Sequence, residues 1–240
     1  MKKGKKLYEG KAKIIFSSPE KNLVIQHFKD DATAYNNQKK ASIEGKGILN
    51  NRISEHILSS LKDVVIENHL IKRLNMREQL VDLVEIIPIE FVVRNIVTGS
   101  LTKRLGIEDG TVLNKPLIEF KWIKSEKDLD IINDLCLRVN DFMQGMFRGV
   151  GIKLVDFKLE FGKSKIDSEL LLADEISPDT CRLWDVVSEK KLDKDRFRKD
   201  LGNIIQAYQE VARRLGIIHE ESNISEVKFG KPKAVNIKKK

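Results

Sequence analysis

Between residues 154 and 185 the chain places charged side chains where folding alone does not ask for them. Val155, Phe157, Leu159 and Phe161 alternate with Asp156, Lys158 and Glu160. A strand puts alternate residues on opposite faces, so this stretch has one apolar face and one face reading acid, base, acid. Gly162 ends the run, and a polar turn over residues 163–168 leads to a second apolar run, 170–173. That run ends on Asp174 and Glu175, followed by Ser177-Pro178-Asp179. The pattern predicts a hairpin with charges converging at one end. Charged groups gathered on a half-buried strand bind charged partners.

Other stretches carry related chemistry. Glu9-Gly10-Lys11-Ala12-Lys13 joins two strand-like runs. A glycine turn flanked by lysines can fold over phosphates, with glycine permitting close backbone approach and lysine supplying charge. It is not a Walker loop, and a solvated hairpin tip explains the same residues. After Pro88, Ile89, Phe91 and Val93 alternate with Glu90, Val92 and Arg94, and Thr98-Gly99-Ser100 opens a short helix over 101–105 closed by Gly106. With Ser100 as N-cap, Arg94 beside a helix N-terminus makes a carboxylate or phosphate site. A capped helix with a surface arginine is the plainer alternative. Arg196 and Arg198 fall in the first turn of the last helix, where cations oppose the dipole. They serve an anion, or they pair with Asp193, Asp195 or Asp200.

The elements that must position these groups follow from periodicity. Strands are expected over 7–10, 13–17 and 22–28, with a break at 29–33. Leu49, Ile53, Ile57 and Leu61 mark a helix over 47–61. Strand character returns over 64–66, 70–74 and 83–93, where Pro88 interrupts the last run and places a division between two lobes near residues 85–88. A nucleotide base fits such a junction. A helix over 126–148 has its buried stripe at Ile132, Leu135, Val139, Phe142 and Met146, with Cys136 and Met143 as core residues of no chemical role. A last helix is expected over 195–215, with Phe197, Leu201, Ile204, Ile205, Tyr208, Val211 and Leu215 inward and Gly216 as C′.

Composition bounds the class. The chain has 240 residues, 41% hydrophobic and 33% charged, which describes an ordinary globular protein with ample core. No apolar run is long enough to span a membrane, and no apolar segment of a signal peptide follows the basic start. Cys136 and Cys181 lack metal-ligand spacing and do not form a disulfide framework, so reduced thiols and a cytoplasmic location are expected. The net charge of +8 points towards nucleic acid until its distribution is read. Residues 1–6 carry +4 and residues 225–240 carry +5, which leaves about −1 for the body between them. The excess sits in two ends expected to be mobile: a solubilising tail, or one that touches RNA or another polyanion weakly.

Together these stretches resemble the SAICAR synthetase family of purine biosynthesis. The resemblance rests on YEGKAK at 8–13, IPIEFVVRN at 87–95 with Gly99-Ser100, VDFKLEFG at 155–162, DEISPD at 174–179 and RLWD at 182–185, in one order. It covers about residues 6–217. It implies an α+β fold, with a small antiparallel β-sheet lobe (1–86) and a larger α/β lobe (87–217), a nucleotide cleft between them, and a basic tail (218–240). The implied activity joins L-aspartate to CAIR, a carboxylated aminoimidazole ribotide, with ATP spent to ADP and phosphate through an acyl phosphate. Mg2+ is the implied cofactor, and a homodimer or larger homo-oligomer the implied assembly. The resemblance assigns Gly10, Lys11, Ala12 and Lys13 to a flap over the ATP phosphates, and Glu85, Ile86 and Ile87 to an adenine hinge. Glu160 and Asp174 match magnesium carboxylates. Arg94, Ser100, Asp156, Lys158, Arg182 and Arg198 match positions around CAIR, with Asp156 a candidate base for the aspartate amine. Lys11 and Lys13 would offset charge on the transferred phosphoryl group. The alternative is a kinase-like small-molecule phosphotransferase, which would use the same flap and carboxylates without needing aspartate.

One departure stands out. Family members carry a loop after the PLIEF-like segment, with a lysine, acidic residues and a His-Asp-Pro element. Here Pro116–Phe120 runs almost directly into Lys121-Trp122-Ile123-Lys124. About twenty residues are missing by comparison with the family. Either the protein has lost the loop or the chain as given omits it, and the loop lysine's role does not transfer to Lys121.

Overall fold

The computed structural model describes residues 1–35, 38–120 and 126–219. A five-stranded antiparallel sheet is built from β1 (Lys6–Glu9), β2 (Lys13–Ser17), β3 (Leu23–Phe28), β6 (Leu70–Arg73) and β7 (Glu78–Asp82), in the order β1-β2-β3-β7-β6. Between its strands come a small hairpin, β4 (Asp31–Ala34) with β5 (Lys39–Ser42), and helix α1 (Lys46–Asp63). The second sheet contains β8 (Val84–Ile86), β9 (Phe91–Ile96), β10 (Val112–Glu119), β11 (Ile152–Ser164), β12 (Leu170–Ala173) and β13 (Cys181–Asp185). The remaining helices are α2 (Ser100–Leu105), α3 (Glu126–Gly149), which packs on the second sheet, α4 (Asp195–Arg198), and α5 (Ile204–Arg214), which packs on α1. All strand pairings within the two sheets are antiparallel. The result is α+β, as the family resemblance implies.

β11 is the spine of the second sheet. Its first half pairs with β9 and β13, and its second half with β12 and β8. The alternation holds: Val155, Phe157, Leu159 and Phe161 are buried. Gly162 does not end the strand. A Cβ there would lie 2.7 Å from Val84 Cγ2, so glycine is what lets β8 approach β11. β8 therefore already belongs to the second sheet, and the chain crosses between sheets at Leu83.

The core is continuous between the sheets. Leu49, Ile53, Ile57 and Leu61 of α1 are fully buried, each contributing about 1.5–3 kcal/mol relative to exposure. The α3 stripe is rotated from the expected one. Ile132, Cys136, Val139, Met143 and Phe147 face inward, while Leu135, Phe142 and Met146 flank it half-buried.

Several expectations need correction. Residues 64–66 are not a strand, because Val64 caps α1 and Val65 turns the chain at φ 60°. The break at 29–33 conceals β4. The single helix over 195–215 is two helices. Asp200, Gly202 and Asn203 all have positive φ, which ends α4 and re-aims the chain, leaving Leu201 exposed. Residues 1–5 are not loose. Gly4 N–H donates to Ser17 O and Ser17 N–H to Lys5 O, both at 2.9 Å, and Lys3 pairs with Glu78. The lysine-rich tail lies outside the described residues. No helix among the described residues is long and apolar enough to cross a membrane.

Candidate functional site

A cleft of about 750 Å³ opens between the two sheets. Its first wall is the β1–β2 turn. Gly10 N–H donates to Lys13 O at 2.8 Å, closing the turn, so that Lys11 lies at the tip and Lys13 at the start of β2. Ile15, Val24, Val81, Val84 and Ile86 form an apolar slot with Gln26, whose buried Nε2 has no hydrogen-bond partner among the described residues. A flat ring with a polar edge suits such a slot.

The second wall is the β11–β12 hairpin. Glu160 lies opposite Ala173 in register, which brings Asp174 beside it. The Lys158 ammonium lies 2.5 Å from Glu160 and 3.6 Å from Asp174, so both carboxylates reach one cation. Lys13 crosses from the first sheet to bond Asp174, and lies 3.1 Å from Glu175. Burial pulls the Lys13 pKa down, and Glu175 opposes it only partly. For Lys158 burial acts the same way, but Glu160 and Glu90 outweigh it and hold the ammonium charged.

Asp174 is also strained, at φ 61°. Buried His69 lies behind it, with Nε2 3.0 Å from the Asp174 carbonyl oxygen. A carbonyl only accepts, so Nε2 carries the proton. Burial, with the charges of Lys13 and Lys62, lowers the imidazole pKa to about 3 and keeps it neutral. His69 also ties the sheets together: its N–H donates to Leu172 O and its carbonyl accepts from Asp82 N–H, at 2.9 and 2.8 Å.

Deeper along the cleft the cations are arginines. Arg94 on β9 and Arg182 on β13 flank β11, and both donate to Asp156 Oδ2, at 2.8 and 2.6 Å. Arg94 also bonds Glu119, and Arg182 donates to Asp195 at 3.0 Å. Arg198 donates to Asp195 at 2.5 Å. Arg196 takes no part, since its guanidinium holds the carbonyls of Lys191, Leu201 and Gly202. Ser100 is the first residue of α2 and does not cap it. Gly99 is the cap, with φ 62° and the Arg182 guanidinium 3.3 Å from where a Cβ would stand.

Of the residues proposed from sequence, the cleft gathers Gly10, Lys11, Ala12, Lys13, Ile86, Arg94, Asp156, Lys158, Glu160, Asp174, Arg182 and Arg198. Glu85, Ile87 and Ser100 do not line it. Glu85 is exposed and pairs with Lys165, and the Ile87 N–H is already given to Phe161 O at 2.8 Å. Cys136 and Cys181 are buried and their thiol pKa values are pushed up, which suits core residues. Sequence reasoning missed Gln26, His69, Lys46, Lys194 and the role of Asp179. Asp179 Oδ2 takes the ammonium of buried Lys46 at 2.7 Å, and its Oδ1 takes the Tyr208 hydroxyl at 2.6 Å. Burial works against this carboxylate, but Lys46 and Lys194 hold its pKa well below the usual range.

A family model for SAICAR synthetase matches residues 6–130 and 120–215. The chain belongs to the SAICAR synthetase family. It is 63% identical over 261 positions to the phosphoribosylaminoimidazole-succinocarboxamide synthase of Pelagibacter ubique, with all of both chains covered. The crystal structure of the Ehrlichia chaffeensis synthase superposes with a TM-score of 0.87 at 49% identity, over 90% of this chain and 100% of that one. A SAICAR synthetase in complex with ADP superposes at 0.84 and 40% identity, over 87% and 96%. Members ligate aspartate to CAIR in purine biosynthesis, and this chain is an ATP-dependent ligase of that family. The alternative of a kinase-like phosphotransferase gains no support. The two matched segments overlap at residues 120–130. The 261 aligned positions against 240 residues leave at least 21 without a residue in this chain. The junction itself, at residues 121–125, lies outside the described residues.

Proposed function

We propose that the cleft performs the family reaction with the residues named above, the first sheet acting as the ATP lobe up to Leu83, a few residues short of the boundary expected at 86, and the second as the substrate lobe. The adenine enters the apolar slot beside Gln26 and Ile86, and the triphosphate runs under the flap towards Lys11 and Lys13. The observation that carries this reading is the convergence of Lys13 and Lys158 on Asp174 and Glu160. Lys13 from the first sheet and Lys158, Glu160 and Asp174 from the second meet at one point, where a phosphoryl group would be transferred.

Glu160 and Asp174 fit a magnesium ion, because two hard oxygen donors already share one cation, Lys158. Bound there, Mg2+ would neutralise phosphate charge in the transition state. Among the described residues no group of three or more His, Cys, Asp or Glu could hold a metal alone, so the remaining ligands would be phosphate oxygens and water. Lys13 and Lys158 must release these carboxylates as the ligands arrive, and their ammonium groups are then free for the phosphates and the CAIR carboxylate.

The CAIR carboxylate oxygen attacks the γ-phosphorus, ADP leaves, and an acyl phosphate remains. The aspartate amine then attacks the acyl carbon, loses a proton, and phosphate departs. Arg94 and Arg182 hold the phosphate end of CAIR, with Gly99-Ser100 beside them. Asp156 has its Oδ2 engaged by both guanidiniums, so its first task is to hold them in place. A cytoplasmic location and a homo-oligomeric assembly form part of the same proposal.

The test is ADP release by the purified protein with each substrate left out in turn. Dependence on CAIR, L-aspartate and magnesium together is expected. ADP formed from CAIR at full rate without aspartate would favour a phosphotransferase instead.

A further inference from the structure

The ion pairs along the cleft leave one inner cation poorly matched. Lys13 has Asp174 and Glu175, Lys158 has Glu160, Arg94 has Glu119 and Asp156, Arg182 has Asp156 and Asp195, and Arg198 has Asp195. Lys194, the residue before α4, lines the same cleft with its side chain only 14% exposed. Its nearest carboxylate among the described residues is Asp179, at 3.7 Å, beyond hydrogen-bond distance. Asp179 cannot serve it better. Both of its oxygens are taken, by Lys46 at 2.7 Å and by Tyr208 at 2.6 Å, and Lys46 is buried with no alternative. Two ammonium groups thus share one carboxylate, and the buried one holds it. Lys194 keeps three donors, partly desolvated and without a close acceptor. Burial lowers its pKa, and the Asp179 charge, opposed by Lys46 and Arg198, offsets this only partly.

The position selects the ligand. Asp179 belongs to the loop that begins at Asp174, so Lys194 stands between the hairpin end and the pair Arg198–Asp195. On one side is the point of phosphoryl transfer, and on the other are the arginines given to the phosphate of CAIR. An amine that attacks an acyl phosphate at the hairpin end has a route alongside CAIR on the Lys194 side of the cleft. When that amine belongs to a dicarboxylic amino acid, one of its carboxylates falls within reach of the Lys194 ammonium.

Resting on the ligase reading above, we infer that Lys194 is the carboxylate anchor for the amino-acid substrate, L-aspartate. It binds a carboxylate as a charge-assisted donor and sets the direction from which the amine attacks. Asp179, Lys46 and Tyr208 are positioning residues that hold it there.

The test is initial-rate kinetics of Lys194→Met and Lys194→Arg with each substrate varied. Loss of one charge-assisted hydrogen bond raises the KM for L-aspartate roughly ten- to a hundredfold in Lys194→Met. The KM values for CAIR and ATP stay within about twofold, and Lys194→Arg recovers most of the loss. An aspartate KM that does not move, or a CAIR or ATP KM that moves equally, overturns the assignment while leaving the ligase reading intact. Wild-type protein with no aspartate-dependent ADP release takes both down. Should Lys194→Met fail to fold, Lys194→Gln is read in its place, and loss of folding in both assigns the amine to the scaffold and overturns the proposal.

Discussion

The carboxylates at the end of the β11–β12 hairpin and the one on the loop that follows it are used in opposite ways. Asp174 and Glu160 face the cleft, and their partners are lysines that other ligands can replace. Asp179 touches the cleft but is only 9% exposed, and its partners, a lysine and a tyrosine hydroxyl, lie buried behind the wall. Exchangeable pairs on a wall cost little to break, because water and substrate can substitute. Pairs behind the wall are costly to break, because nothing else can reach the group left alone. The first set should therefore govern turnover with little effect on stability, and the second should govern stability.

The sharpest way to break that contrast is at the wall. Asp174→Asn removes one of two hard donors while leaving Lys13 paired with Glu175. Turnover should fall roughly a hundredfold or more, with stability changed by less than about 1 kcal/mol. A variant that turns over normally would end the metal assignment. Behind the wall the expectation reverses. Lys46→Met strands Asp179 with Tyr208 and a distant Lys194, and should cost about 3–5 kcal/mol in urea unfolding, while Tyr208→Phe should cost about 1–3 kcal/mol. If Lys46→Met unfolds at the wild-type midpoint, the buried pair is not scaffold.

His69 joins the two regions. Its Nε2–H bond holds Asp174 at a backbone conformation that a non-glycine residue adopts at a cost of about 1–2 kcal/mol. Removing that donor in His69→Leu should weaken magnesium dependence roughly tenfold, read as the metal concentration at half-maximal rate and by direct titration of metal–ADP binding. His69→Gln keeps an N–H at the same reach and should stay close to wild type. Equal losses in both variants would mean the imidazole ring, and not its donor, is what matters.

How much of this was legible follows from what each feature depends on. The β11–β12 hairpin could be read because strand alternation is local and its reversal ends on adjacent acids. The α1 core could be read for the same reason, at a different period. The α3 stripe was misplaced by one residue, since Leu135, Phe142 and Met146 keep helical spacing as well as Cys136, Met143 and Phe147 do. Only the packing against β11 chooses between them. In Leu201-Gly202-Asn203 the apolar period runs straight through the residues at which the helix breaks, so the break carries no signal in that period. Lys46, His69 and Lys194 carried no local signal at all. Each is one polar residue among many, and becomes distinctive only when α1, β12 and the turn into α4 are brought together. Arg94 was legible at its strand end and Arg182 only through the family resemblance, but the shared oxygen of Asp156 that fixes their spacing was not.

The smallest effect compares two buried titratable groups across the same boundary. His69 has a pKa near 3 in the fold and about 6.5 unfolded, so its contribution to stability is full above about pH 6.5 and is lost as pH falls towards 3. Asp193 has the opposite sign. Burial, then the neighbouring Asp195 carboxylate, raise its pKa to about 7, although Leu183 N–H and Asp195 N–H donate to it at 2.8 and 2.6 Å. Its contribution is full below about pH 3.8 and is lost as pH rises to about 7. Between pH 4 and 6.5 the two therefore offset each other, and wild-type stability should be flatter there than either group alone would make it. Asp193→Asn removes the falling part, so its melting temperature relative to wild type should climb from pH 4.5 to 7. It starts from a deficit, because the amide has one acceptor oxygen for two N–H donors. His69→Gln removes the rising part, so its relative stability should climb in the other direction, towards acid. Parallel melting curves for wild type and Asp193→Asn would show that Asp193 is charged throughout, with Arg198 close enough to offset its burial.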